Sequence, residues 1–224
     1  MFKVKTTMVV FLVAMLLLLT SCAGLQGNRL TQDDGWRDLF AKDLSNCKYQ
    51  SGSWTLKKGV LARTGYGDIW TKEEFGDFIL DLEFKLAKKT NSGVFLRTAD
   101  SNDSINTGIE VQVLDSYGIT EPGKRDCGAI YDCLAPAKKM VKKPGEWNHY
   151  TITCKGNKIE VVLNGEQIID MDLDQWTQAG KNPDGTNNKF KTAYKDMPRA
   201  GHIGFQEHNR PVWYRNVKIK PLGN

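Results

Sequence analysis

The chain has 224 residues, with 31 Lys and Arg against 26 Asp and Glu and a formal charge of +5. That charge is mild and no Lys/Arg cluster builds a basic stripe, so nucleic acid is not an expected partner. None of the cysteine spacings matches a zinc site.

The N-terminus reads as an address and not as part of the fold. Lys3 and Lys5 precede an apolar run from Met8 to Leu19, followed by Leu19-Thr20-Ser21-Cys22. The run is too short to span a membrane as a mature helix and carries signal-peptide flanks. Leu-Thr-Ser-Cys resembles the lipobox of bacterial lipoproteins, in which Cys22 is lipidated and becomes the new N-terminus. Residues 1–21 are therefore expected to be a lipoprotein signal peptide and residues 22–34 a tether. No acidic residue appears before Asp33, which predicts an outer-membrane lipoprotein facing either the periplasm or the exterior. The lipid is then the sole contact with the membrane. Removing Lys3 and Lys5 lowers the net charge to +3.

Residues 35–223 form one stretch of roughly 190 residues, enough for a single all-β domain with a substantial core. Trp54 to Leu61 reads as a hairpin turning at Lys58-Gly59. Phe78, Leu80, Leu82, Phe84 and Leu86 alternate with Ile79, Asp81, Glu83 and Lys85, the pattern of a long half-buried strand. Gly93 to Arg97 and Gly108 to Leu114 follow. Trp147 to Cys154, Lys158 to Leu163 and Glu166 to Met171 form a meander with Gly156-Asn157 and Asn164-Gly165 at its turns, residues that take positive φ cheaply. Ile203 to Phe205 and Val212 to Lys220 complete the set. Many strands, short turns and no convincing long helix after the signal predict a two-sheet sandwich or jelly roll. Cys154 falls in the apolar register of its strand and is expected in the core. The compartment permits disulfides, and the pairing of Cys127 with Cys133 is open.

The segment from Asp174 to Arg199 breaks this rhythm. It is rich in Asn, Gly, Lys and Asp, with Trp176 and Tyr194 as aromatic points. A loop of this length in a compact domain is functional or disordered, and the two aromatics favour function.

The candidate site begins at Gly108–Asp115, GIEVQVLD. Ile109, Val111 and Val113 alternate with Glu110 and Gln112, so one face carries a carboxylate and an amide about 6.6 Å apart. Strand parity in NSGVFLR places Arg97 with Phe95, opposite Val94 and Leu96. In GHIGFQEH, Gln206 and His208 point away from Ile203 and Phe205. If these strands share a sheet, they line a floor holding a base, an acid, a cation and amides.

These residues carry a family resemblance. The blocks GWRDLF, DIWTKEEFGDFILDLEFKL, NSGVFLR, GIEVQVLD, GAIYDCLAP, GEWNHYTI, LNGE and GHIGFQEHNRPVWYRNVKIKPL resemble, in that order, the 3-keto-disaccharide hydrolase domain family. That family was formerly a domain of unknown function. The resemblance runs from Gly35 to Leu222 and implies a concanavalin A-like jelly-roll sandwich of two antiparallel sheets. Two departures stand out: Cys47 where family members often have Trp, and His208-Asn209 in place of a His-Gly pair.

The resemblance implies action on glycosides whose ring a sugar C3 oxidoreductase has already oxidised. A C3 ketone acidifies the C2 proton, so a base can form an enediolate and the C1 oxygen can leave. Water added to the enone gives net hydrolysis. On this reading His208 is the base, Arg97 stabilises the oxyanion, and Glu110 either protonates the aglycone or orients His208; exchanging His208 and Glu110 is an open alternative. Gln112, Asp115 and Gln206 would hold sugar hydroxyls, and Tyr131 and Trp213 would stack on the ring.

Two other readings compete. A retaining glycoside hydrolase would use Glu110 and Asp115, spaced as in Glu-x-Asp-x-x-Glu, with a bulge near Val113-Leu114 bringing both carboxyls to one face at about 5–5.5 Å. Gln112 lacks the carboxylate that motif places centrally. A carbohydrate-binding lipoprotein without turnover is the other reading. His202, His208, Glu110 and Asp115 could offer nitrogen and oxygen ligands, but no ligand spacing fixes a site. No cofactor or catalytic metal is expected, while Asp-rich loops of such sandwiches can hold a structural calcium.

Overall fold

A computed structural model describes residues 34–223. The expected signal segment, Cys22 and all but the last residue of the tether lie outside the described residues. In chain order the strands are β1 (Arg37–Asp38), β2 (Cys47–Lys48), β3 (Trp54–Lys57), β4 (Val60–Arg63), β5 (Ile69–Phe75), β6 (Phe78–Leu86) and β7 (Asn91–Thr98). They continue with β8 (Ile109–Leu114), β9 (Trp147–Lys155), β10 (Lys158–Leu163), β11 (Glu166–Asp172), β12 (Gly201–Phe205) and β13 (Val212–Pro221).

The larger sheet runs β11-β10-β9-β6-β13-β4-β3, with β1 added beside β13, and the smaller runs β2-β5-β12-β7-β8. All pairings are antiparallel. This is the two-sheet jelly-roll sandwich expected from the strand pattern.

Alternation builds the core. Phe78, Leu80, Leu82, Phe84 and Leu86 of β6 are all buried, and Tyr150 of β9 lies against Phe84 with ring centroids 4.7 Å apart. Each such side chain contributes roughly 1.5–3 kcal/mol on burial. From the smaller sheet Val94, Leu96, Ile109, Val111, Val113, Ile203 and Phe205 face them. The turns behave as their residues dictate. Lys58 and Gly59 have φ of 52° and 76°, and Asn164 and Gly165 have 53° and 88°, the pair of positive values that a two-residue hairpin turn needs.

Three strands escape the sequence pattern. β1 and β2 span two residues each, and β5 carries Lys72-Glu73-Glu74, all exposed, so its second half shows no alternation. Cys154 is fully buried in the core as expected. Cys47, Cys127 and Cys133 are also buried free thiols, so Cys127 and Cys133 are unpaired. Burial pushes the Cys154 thiol up to about 12, which keeps it protonated and inert.

Candidate active site

The outer face of the smaller sheet is built by the residues that alternate with its core positions. β5 contributes Trp70, β7 contributes Gly93 and Phe95, β8 contributes Glu110 and Gln112, and β12 contributes Gly204. The Trp70 and Phe95 rings lie 5.4 Å apart. Two glycines let neighbouring side chains lie across this face. A Cβ on Gly204 would come within 2.3 Å of the Trp70 ring, and one on Gly93 within 2.2 Å of Glu110 Oε1. The Glu110 side chain therefore folds across the neighbouring strand and rests on Gly93.

Two loops border this floor beyond the edge of β8. Gly128 and Ala129 bracket Gln112 with backbone hydrogen bonds of 2.9 Å each, and the Tyr131 amide donates to Glu110 O at 2.9 Å. The long segment after β11 then docks on this first loop. Asn182 Nδ2 donates to Asp132 O at 3.1 Å, and the Lys189 amide donates to Asp132 Oδ2 at 3.0 Å. Trp176 Nε1 donates to Asn182 Oδ1 at 2.9 Å, and Tyr194 stacks on Phe190 at 5.4 Å. The aromatics of the long loop are thus its internal core. What the loop presents is Lys189, whose ammonium sits 4.3 Å from the centre of the Tyr131 ring.

The electrostatics follow from this burial. Glu110 is only 7% exposed, and its carboxyl is pushed up to about 7. Burial is the largest cause; Lys189 draws the value down and the Asp68 charge pushes it up. Asp68, in the loop before β5, is also raised by burial. It accepts a 2.7 Å hydrogen bond from the Glu207 amide and faces His208, both of which favour its ionised form. Glu207 is in turn held by Arg63 at 2.6 Å. A carboxyl that changes charge near neutrality, beside a second raised carboxyl and a cation, is equipped for proton transfer.

The expected site residues divide. Glu110, Gln112 and Tyr131 meet on and above this floor. Gln206 follows β12 and is held there by its amide, which donates to Gly93 O at 2.9 Å. His208 stands exposed, near enough to Asp68 for its charge to favour the Asp68 carboxylate.

Arg97 is elsewhere, which corrects its expected placement. The register of β12 shifts between His202 and Gly204 where it pairs with β7, and Arg97 takes φ of 48°. This irregularity breaks strand parity and turns the side chain inward. The guanidinium is fully buried on Gly76 O (2.8 Å), Gly156 O (2.7 Å) and Asp77 Oδ1 (2.8 Å), tying together turns of the sandwich.

Trp213 lies on the outer face of the larger sheet, 4.9 Å from Lys85 Nζ, because Val212 and Tyr214 take the core positions of β13. Asp115 is spent on a turn, its Oδ2 accepting from the Lys89 amide at 2.7 Å. β8 pairs with β7 without a register shift from Ile109 to Leu114, so the expected bulge near Val113-Leu114 is not there. Five strand residues then separate Glu110 from Asp115 by about 16 Å, too far for a retaining pair. His202 lies against Glu74 of β5, 3.7 Å away. Among the described residues no three His, Cys, Asp or Glu groups gather as metal ligands.

Asp68, Trp70 and Lys189 were not singled out by the pattern. Asp68 and Trp70 lie inside the block DIWTKEEF, but a single strand residue gives no sign that a glycine on the next strand will open space for it. Lys189 sits in irregular chain where no periodicity operates.

A two-sheet jelly roll with a buried carboxyl on its smaller sheet, bordered by loops, defines the class. The chain belongs to the 3-keto-alpha-glucoside-1,2-lyase-like domain family, which matches residues 35–220. It is 26% identical over 223 aligned positions to a 3-keto-disaccharide hydrolase of Bacteroides thetaiotaomicron, covering 84% of this chain and 75% of that one. It is similar to a Parabacteroides distasonis protein provisionally named a glycosyl hydrolase, whose crystal structure shares 40% identity. The TM-score is 0.79, with 84% of this chain and 99% of that chain covered. A Bacillus subtilis protein with a galectin-like fold shares 14% identity and superposes with a TM-score of 0.52 over 83% of this chain and 94% of that one, which shows the fold alone.

Proposed function

We propose that this protein is a lipid-anchored hydrolase of the bacterial envelope that cleaves 3-keto-glycosides by elimination and hydration. The family and the names of its relatives support a carbohydrate-active protein of glycoside-hydrolase type. The observation that carries the mechanistic reading is Glu110, buried beside Lys189 and Asp68 with its carboxyl at about 7.

In this mechanism Glu110 is the base and His208 is not. The Glu110 carboxylate takes the proton from C2, and the electron pair moves into an enediolate whose C3 oxygen is stabilised by the Lys189 ammonium. Lys189 fills the role first expected of Arg97. The C1–O bond then breaks, and the aglycone oxygen takes a proton from the Asp68–His208 pair at the rim. The deprotonated Asp68–His208 pair then takes a proton from water as the water oxygen adds to C1. Glu110 returns its proton to C2, leaving a free 3-keto sugar and both groups in their starting states. Gln112 and Gln206 hold the ring, with Tyr131 as a stacking face at the mouth.

A C3 oxidoreductase has to supply the ketone, since an unoxidised glycoside has no acidic C2 proton. All charge in the cycle is carried by side chains, so treatment with EDTA is expected to leave turnover unchanged; a structural calcium would show as a lowered Tm. The lipobox Leu19-Thr20-Ser21-Cys22 supports the anchor, which Cys22→Ala should release into the soluble fraction.

The test is to follow aglycone release from a 3-keto-glucoside by mass spectrometry, with enone absorbance in parallel. The expected result is release by the wild-type protein, a loss of at least a hundredfold in Glu110→Gln, and no action on the unoxidised glucoside. Wild-type turnover of Glu110→Gln, or equal cleavage of the unoxidised sugar, would refute the reading.

A further inference from the structure

Asn91, Gln112 and Gln206 share an unusual state. The side-chain oxygen of each is shielded from solvent and has no hydrogen-bond partner within the protein. Buried polar groups are almost always paired, and each one left unpaired is a standing cost that a ligand can relieve.

The three are neighbours around a single residue. Gln112 is the direct cross-strand partner of Gly93, and the Gln206 amide donates to Gly93 O at 2.9 Å. Asn91 lies two residues before Gly93 on β7 and so on the same face of the sheet, opposite Ser92, whose hydroxyl bonds Tyr214 in the core at 2.8 Å. The Glu110 carboxyl rests on that same glycine. The orientation of the Gln112 amide is fixed by its nitrogen, which donates to Arg125 O at 3.1 Å and leaves the oxygen as the free group.

The three unpaired atoms are all acceptors, so a ligand group that pairs with them has to bring donors. A 3-keto-glycoside divides its polar groups in a matching way. The ring hydroxyls can donate, whereas the C3 ketone has no proton and needs a donor such as the Lys189 ammonium. We propose that Asn91, Gln112 and Gln206 form an acceptor-lined subsite for the hydroxyl groups of the sugar ring, with Asn91 as a specificity-determining residue. This takes the identity of the ring from the keto-glycoside reading. The subsite would orient the substrate by sorting donors from acceptors: hydroxyls toward the amides, ketone toward Lys189.

Binding can be measured apart from chemistry. Full-length Glu110→Gln is titrated by calorimetry with methyl 3-keto-α-glucopyranoside and with its 4-deoxy and 6-deoxy counterparts. The series is repeated on wild-type protein with methyl α-glucopyranoside and its deoxy counterparts, which offer no ketone. At least one deoxy sugar is expected to bind about tenfold or more weakly than its parent, as in sites built to bond a substrate hydroxyl. Asn91→Leu should erase that difference, and Asn91→Asp, which keeps an acceptor, should preserve it. Gln206→Leu gives a second reading if Asn91→Leu does not fold. Equal binding of parent and deoxy sugars, binding of none, or discrimination unchanged in both leucine variants overturns the subsite. Turnover by Glu110→Gln would instead sink the mechanism and leave the wild-type comparison with unoxidised sugars readable.

Discussion

Glu110 and Gly93 are a matched pair: the carboxyl of one occupies the space that a side chain on the other would fill, with Oε1 2.2 Å from the position of a Cβ. Glu110 is thereby carried inward over the adjacent strand and not out toward solvent. Its burial, and the raised carboxyl that follows from burial, depend on that glycine.

Gly93→Ala is expected to separate stability from activity. The added methyl has to displace Glu110, and overpacking of this kind costs about 1–3 kcal/mol. The fold should survive with a lowered Tm, while kcat/KM on a 3-keto-glucoside falls by at least tenfold. Thermal melts and kinetics on one preparation check this.

Glu110 also couples stability to pH. Its carboxyl lies at about 7 in the folded protein, against 4.5 for an ordinary glutamate. The folded state therefore holds its proton more tightly than the unfolded chain does. The favourable contribution is complete below about 4.5, shrinks as pH rises, and is gone above about 7. Glu110→Gln removes this loss, so at pH 8 the variant should be more stable than wild type by a few kcal/mol. Urea unfolding at pH 5 and pH 8 reads the difference, which should be far smaller at the lower pH.

The neighbours of Glu110 should move its titration in opposite directions. Activity that needs the carboxylate rises through pH 7. Lys189→Met takes away the cation that draws the carboxyl down, so the rising limb of kcat/KM should shift to higher pH and kcat should drop. Asp68→Asn takes away a charge that pushes it up, so the limb should shift lower. A pH–rate series over both variants checks the signs.

Arg97 tests the distinction between site and scaffold. Its guanidinium satisfies two backbone carbonyls and the Asp77 carboxylate at the end of the sandwich. Arg97→Met leaves those acceptors unpaired and should destabilise the fold by about 3–5 kcal/mol. Below its lowered Tm, the pH limb of the surviving activity should stay where wild type has it.

Much of the architecture was legible because alternation is a local signal. β6 and β8 announce their buried faces residue by residue, and the turns at Lys58-Gly59 and Asn164-Gly165 announce their backbone. Glu110 and Gln112 were legible for the same reason. Arg97 was misplaced because a bulge shared by two strands is a property of their pairing, and parity counted along one strand carries through it. Trp213 was placed by residue type alone, although its own parity against Val212 and Tyr214 assigns only a side of the larger sheet. Asp68 and Lys189 come from loops that reach the floor by tertiary docking, Lys189 through Asp132, and no periodic pattern encodes that.

The most direct measurement follows the C2 proton. Methyl 3-keto-α-glucopyranoside is incubated in D2O with wild-type protein and with Glu110→Gln, and deuterium at C2 is read by NMR above the uncatalysed background. If the buried carboxyl on Gly93 is the base, wild type incorporates deuterium at C2 and Glu110→Gln stays at background. Incorporation by Glu110→Gln at the wild-type rate would contradict the account.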